Sequence, residues 1–168
     1  PARPHAGVSL VLRTGPRPEL LLIRRAEAEG DPWSGHMALP GGRRDPTDAT
    51  LLHTAVRETR EETGLCLSGE GTVLGRLEPV TPATRHLPPI SIHPLVFGVP
   101  EGTPARAASP EVAEVLWTPL SALRCPSAAG TVDVPLGDLA RTFPCLRVGE
   151  RVVWGLTYRI LTGFFQLL

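Results

Sequence analysis

One stretch of this sequence leaves the chain few choices. LPGGRRDPTDATLLHTAVRETREETGL, residues 39 to 65, sets a Pro-Gly-Gly loop ahead of the clearest helical pattern in the molecule. Thr47 or Asp48 is placed to cap the helix start, and Gly64 stands where a helix end favours a left-handed residue. Leu51, Leu52 and Ala55 offer an inward face, with Leu65 following the helix. Its last turn and a half carries Glu58, Glu61 and Glu62, three and four residues apart and so on one face.

Like charges at that spacing cost a helix a few tenths of a kcal/mol per pair. They also sit near the C-terminal end, where the macrodipole disfavours anions. A solvated charged face is the bland account of such a run. A hard divalent cation is the chemical one: Mg2+ is held by one or two carboxylates, waters and substrate phosphates. Arg57 and Arg60 offset part of the charge, and Arg57 is suited to fork onto a carboxylate.

The rest of the chain frames this helix. GVSLVLR (7 to 13) and ELLLIRR (19 to 25) read as strands joined by a GPRP turn, and His36 to Leu39 as a short extended piece. Segments 71 to 80 and 90 to 100 read as further strands, and EVLWTPLSAL as a strand running into a short helix. Residues 125 to 150 are weakly patterned and read as an insertion with short elements, and the C-terminal RVVWGLTYRILTGFFQLL as a strand or turn followed by an apolar helix. This mixture predicts an α+β fold or a mixed-sheet α/β/α sandwich, in one domain over residues 1 to 168.

Composition removes several function classes. The 17 acidic residues balance the 17 basic ones, so the broad basic footprint of a nucleic-acid binder is absent. All the basic residues are Arg, which excludes a catalytic lysine. No apolar run is long enough to span a membrane, and PARPHAGVSL lacks the apolar core of a signal peptide. Cys66, Cys125 and Cys145 show no metal-ligand spacing; reduced thiols and a cytoplasmic location are expected.

Residues 39 to 65 resemble the Nudix box, G-x(5)-E-x(7)-R-E-U-x-E-E-x-G-U, with U an apolar residue. Gly42, Arg57, Glu58, Glu61, Glu62, Gly64 and Leu65 match it. Asp48 replaces the first glutamate, one extra residue separates it from Arg57, and Thr59 stands at the apolar U position. The resemblance implies an α/β/α sandwich with a mixed sheet, in which box residues 42 to 65 form a loop, helix and loop. It implies hydrolysis of a nucleoside diphosphate linked to a further group X, with Mg2+ or Mn2+ as cofactor. Glu58, Glu61 and Glu62 would ligate the metal, with an added oxygen from Gly42. Glu58 and Glu61 with Arg57 would form the catalytic set, supported by Asp48. Glu58 is a candidate base; Glu111 and Glu114 are the candidates outside the box, against a reading of both as exposed charge.

Upstream, Leu21, Leu22 and Arg24, a spacer and GHMALPGG resemble the coenzyme A-cleaving subgroup, in which LLxxR and GxxxFPGG precede the box; Leu39 here replaces the Phe. The C-terminal VWGLTYRIL is similar to that subgroup's final helix. The resemblance implies release of 3′,5′-ADP and phosphopantetheine from coenzyme A or acyl-CoA. ADP-ribose and other ADP-sugars, dinucleoside polyphosphates and oxidised nucleoside triphosphates are the alternatives within the family, and a non-catalytic nucleotide-binding module is the alternative outside catalysis. Arg24, Trp33, His36 and Arg43 are candidate substrate contacts, each weighed against a role in loop packing or on the solvated surface. Trp117 and Trp154 are expected in the core. Phe164, Phe165 and the terminal leucines are expected either in the core or on an apolar patch pairing two copies in a homodimer.

Overall fold

The computed structural model describes residues 3–30, 34–83 and 89–168. Two apolar strands, β1 (His5–Arg13) and β2 (Glu19–Arg25), lie at its centre. Among the described residues a seven-stranded sheet gathers around them, with β3 (Met37–Ala38), β4 (Gly41–Arg43), β5 (Thr72–Arg76), β6 (Ser91–Val99) and β7 (Val112–Pro119). β1 runs parallel to β6, and the other pairings are antiparallel, so the sheet is mixed as expected.

Side-chain alternation sorts the strands between two cores. Leu10, Leu20, Leu22 and Val96 point to one face, where they meet α3 (Leu120–Arg124) and α4 (Gly155–Phe165) through Leu123, Ile160, Leu161 and Phe164. Val11, Leu21, Leu95, Phe97 and Val99 point to the other, against Ala55 of α1 (Leu51–Thr63) and Leu67 of α2 (Leu67–Glu70). Burial on both faces explains why these strands read as unbroken apolar runs. The layers are helix, sheet, helix.

One topological detail builds the site. β1 and β2 pair only at Leu12–Leu20 and Arg13–Glu19 and then part. β4 takes the vacated edge of β1 at Ala6 to Val8, and β3 pairs β2 at Ile23 and Arg24. The Pro-Gly-Gly loop therefore crosses the split, held by the Ser9 N–H donating to the Pro40 carbonyl at 2.8 Å.

Several expectations need correction. The α1 N-cap is Thr50, whose hydroxyl accepts the His53 N–H, and not Thr47 or Asp48. Leu51 and Leu52 are only half-buried; the inward face is Thr54, Ala55, Thr59, Glu62 and Thr63. The strand expected over 71 to 80 stops at Arg76, leaving an isolated bridge at Val80. Residues 125 to 150 are not short scattered elements: β8 (Ala129–Leu136) and β9 (Leu139–Val148) form a long hairpin, extended by β10 (Arg151–Trp154) into a three-stranded sheet. The hairpin is largely solvated, and only Cys145 and Leu146 of its long strands are fully buried, so little apolar alternation marks it. Among the described residues no helix is long and apolar enough to cross a membrane.

Candidate active site

Asp48 and Arg57 form the base of the site. Asp48 is buried, and its carboxylate takes a fork from Arg57, with Nε to Oδ1 at 3.0 Å and Nη2 to Oδ2 at 2.9 Å. The Thr54 hydroxyl and the Asp45 N–H each donate to Oδ2 at 2.9 Å. Arg57, followed by these hydrogen bonds, holds the Asp48 carboxyl well below the usual carboxylate range. The longer spacing to Arg57 is thus absorbed in the loop before α1. From that anchor Arg57 Nη1 donates to Glu58 at 3.0 Å and to Glu61 at 3.2 Å.

Glu62 is 6% exposed, unusual for a carboxylate. Its Oε1 accepts the Gly41 N–H at 2.8 Å. Burial, the largest influence, pushes its carboxyl up to about 8. Burial likewise raises Glu58, opposed by Arg57. The glycines are required by contact. A Cβ on Gly41 would lie 2.5 Å from the Gly7 carbonyl oxygen, and one on Gly42 would lie 2.6 Å from the Glu58 carboxyl. Gly42 therefore lies close against the Glu58 carboxyl, with no room for a side chain between them.

Donor chemistry and the bare backbone at Gly42 fit a hard divalent cation. Among the described residues no group of three His, Cys, Asp or Glu side chains has metal-holding geometry. Glu61 is turned to Arg57 and Glu62 to Gly41.

The two outside carboxylates separate clearly. Glu114 is held between Arg151 and Arg24, and these guanidiniums, Arg151 first, lower its carboxyl. Glu111 is exposed ahead of β7, and its charge acts on both Glu58 and Glu62. Arg24 lies on β2 and His36 just before β3, its ring edge-on to Trp154 at 5.1 Å. Arg43 is exposed on β4, and its carbonyl accepts from Arg57 at 3.4 Å. Trp33 lies outside the described residues. Trp117 and Trp154 are half-buried, not core; the Arg13 guanidinium stands 4.5 Å over the Trp117 ring.

Sequence reasoning missed Ser9. The Thr59 hydroxyl, fully buried where the box has an apolar residue, donates to Ser9 Oγ at 2.8 Å, and Ser9 donates to the Ala55 carbonyl. The hints were a lone serine in the apolar run of β1 and a threonine where the box has an apolar residue.

The NUDIX domain model matches residues 3–135. A fission yeast protein (Schizosaccharomyces pombe), "Uncharacterized protein C14C4.10c", is 36% identical over 131 residues, 76% of this chain but only 40% of its own length. The human "Mitochondrial coenzyme A diphosphatase NUDT8" is 36% identical over 172 residues, covering 99% of this chain and 71% of that protein. In structure, a MutT/nudix family protein from Enterococcus faecalis superposes with a TM-score of 0.65 at 17% identity, over 99% of this chain and 62% of that one; this likeness concerns the fold. The chain belongs to the Nudix family. The class that fold and relatives define is a pyrophosphohydrolase, and hydrolases of this family generally use divalent metal ions.

Proposed function

We propose that the protein cleaves the pyrophosphate bond of coenzyme A or an acyl-CoA, releasing 3′,5′-ADP and the phosphopantetheine half. The observation that carries the substrate is the 36% identity to the human coenzyme A diphosphatase across 99% of this chain. In this reading Glu58, Glu61 and Glu62 hold Mg2+ or Mn2+ beside Gly42. A bound divalent cation would neutralise the pyrophosphate and polarise its phosphorus. Asp48 locks Arg57, and Arg57 orients Glu58 and Glu61, so its part is positioning. Glu58 takes the proton of the attacking water. Its place between Gly42 and Arg57 at the centre of the cluster supports that role. Glu111 is the second candidate for the proton.

The test is chromatography of products from coenzyme A, ADP-ribose, diadenosine polyphosphates and nucleoside triphosphates, each with Mg2+ or Mn2+. Chelator-sensitive release of 3′,5′-ADP from coenzyme A is expected. Cleavage of ADP-ribose instead would overturn the substrate and keep the chemistry. Binding without cleavage of any of these would favour the nucleotide-binding module. Glu58→Gln, Glu61→Gln and Glu62→Gln should each lower turnover by orders of magnitude.

We also propose a cytoplasmic enzyme, supported by three cysteines that are all unpaired. Association of two copies through the C-terminal end is a further part of the proposal. Phe164 is buried and Phe165 packs on the core, whereas Leu167 and Leu168 are exposed. Sedimentation of the intact chain should then show a dimer that weakens in Leu167→Ser.

A further inference from the structure

The match to the family model ends at residue 135, yet the chain beyond it helps to wall a cavity of roughly 330 Å3. That is the small end of the range for ligand pockets. Arg24 and His36 line it from the main sheet, and Val132, Val134, Arg151 and Trp154 from the three-stranded sheet. Two contacts fix these walls together. Glu114 on β7 accepts from Arg24 on β2 and from Arg151 on β10. His36 meets Trp154 edge-on, and Phe143 of β9 lies 5.1 Å from the same ring.

The lining suits a particular chemistry. Its two guanidiniums are matched by two carboxylates, Asp133 and Glu150, in addition to the shared Glu114, so the cavity offers no surplus positive charge to a phosphate. Valines and an aromatic pair supply apolar contact, and the ion-paired rim supplies hydrogen-bonding groups. Among the described lining residues the one large aromatic ring is Trp154, already engaged by His36 at 74° and Phe143 at 40°. An uncharged, flexible chain with amide groups fits both kinds of surface.

The cavity is also within reach of the carboxylates. His36 is five residues from Gly41, whose N–H holds Glu62, at most roughly 17 Å of chain. Arg25, next to Arg24, places its charge on Glu62. We infer that this cavity receives the arm of the substrate beyond the pyrophosphate, a neutral amide chain of the pantetheine kind, and that the three-stranded sheet selects the substrate. The inference rests on the coenzyme A reading and names the part of the molecule that each sheet handles.

The arm can be tested apart from the reaction. Metal-free protein is titrated with pantetheine, and separately with ADP, following the methyl resonances of Val132, Val134 and Val152 and the Trp154 indole. Pantetheine should move these signals and ADP should not. Movement by ADP alone, or by neither, overturns the assignment whatever the enzyme cleaves. Val134→Trp fills the cavity and should weaken pantetheine about tenfold or more. It should lower the ratio of kcat/KM for coenzyme A over ADP-ribose by a similar factor, through KM. Val134→Ala, which adds no bulk, should stay near the wild-type ratio and separates filling from misfolding. An unchanged ratio in a folded Val134→Trp enzyme overturns the inference. Failure of the wild-type enzyme to cleave coenzyme A would instead overturn the substrate reading, with the titration still deciding what the cavity binds.

Discussion

At the scale of single residues, Glu62 is the side chain under most tension. It is an acid whose folded pKa lies near 8, above the ordinary value of 4.5, because burial penalises its charged form. The folded state therefore holds that proton more tightly than the unfolded one. In chelator, its contribution is most favourable below pH 4.5 and is lost as pH rises towards 8, by on the order of a few kcal/mol. Glu62→Gln keeps an oxygen for the Gly41 N–H and removes the charge. Urea denaturation of the metal-free protein should find this variant more stable than wild type at pH 8, with a smaller gap at pH 5. Asp48 is the opposite case, since its charge is paired. Asp48→Ala removes the fork that anchors Arg57, which keeps Glu58 and Glu61 as partners, and should cost about 1–3 kcal/mol in the same experiment. The grouping of Glu58, Glu61 and Glu62 at the end of one helix was legible in the sequence because spacing along that helix fixes it. The partners of Thr59 and Glu62 were not, because they come from β1 and the loop, 50 and 21 residues away.

Among elements, the contact between α1 and β1 carries most information. A helix with threonines and a glutamate facing inward is a poor apolar surface, and it is held because each polar group meets a partner. Thr54 meets Asp48, Thr59 meets Ser9, Thr63 meets the Thr59 carbonyl and Glu62 meets Gly41. Thr59→Val alone leaves the buried Ser9 hydroxyl short of a donor and should cost about 1–3 kcal/mol. Combining it with Ser9→Ala removes both partners and should recover most of that loss, a coupling that a double-mutant cycle measures directly. Gly42→Ala tests the junction of α1 with β4. Its Cβ would displace the Glu58 carboxyl, so turnover should fall by roughly 100-fold while the melting temperature stays close to wild type. The strands of the main sheet were readable as apolar runs. The β8–β9 hairpin was not, because its surface is mostly solvated and its pairing is visible only between its two strands.

For the whole molecule, the question is whether residues past the family match are an appendage or part of one domain. α4 packs on the central strands: Leu161 is fully buried in the same cluster as Leu10 and Leu22. Leu161→Ala should destabilise the entire chain by about 2–5 kcal/mol in a single unfolding transition. Two separate transitions would divide the molecule at the three-stranded sheet. The sequence by itself determined the mixed α/β layering, the box helix and the glycine loop. These follow from local periodicity, turn residues and spacing along one element. Only the tertiary structure decided which carboxylate is buried, how Asp48 reaches Arg57, which outside glutamate stays coupled to the cluster, and that a second sheet walls a cavity with Arg24 and His36. Those outcomes depend on the parting of β1 from β2 and on the docking of one sheet against another. Both are contacts between residues far apart in the chain, which no local pattern records.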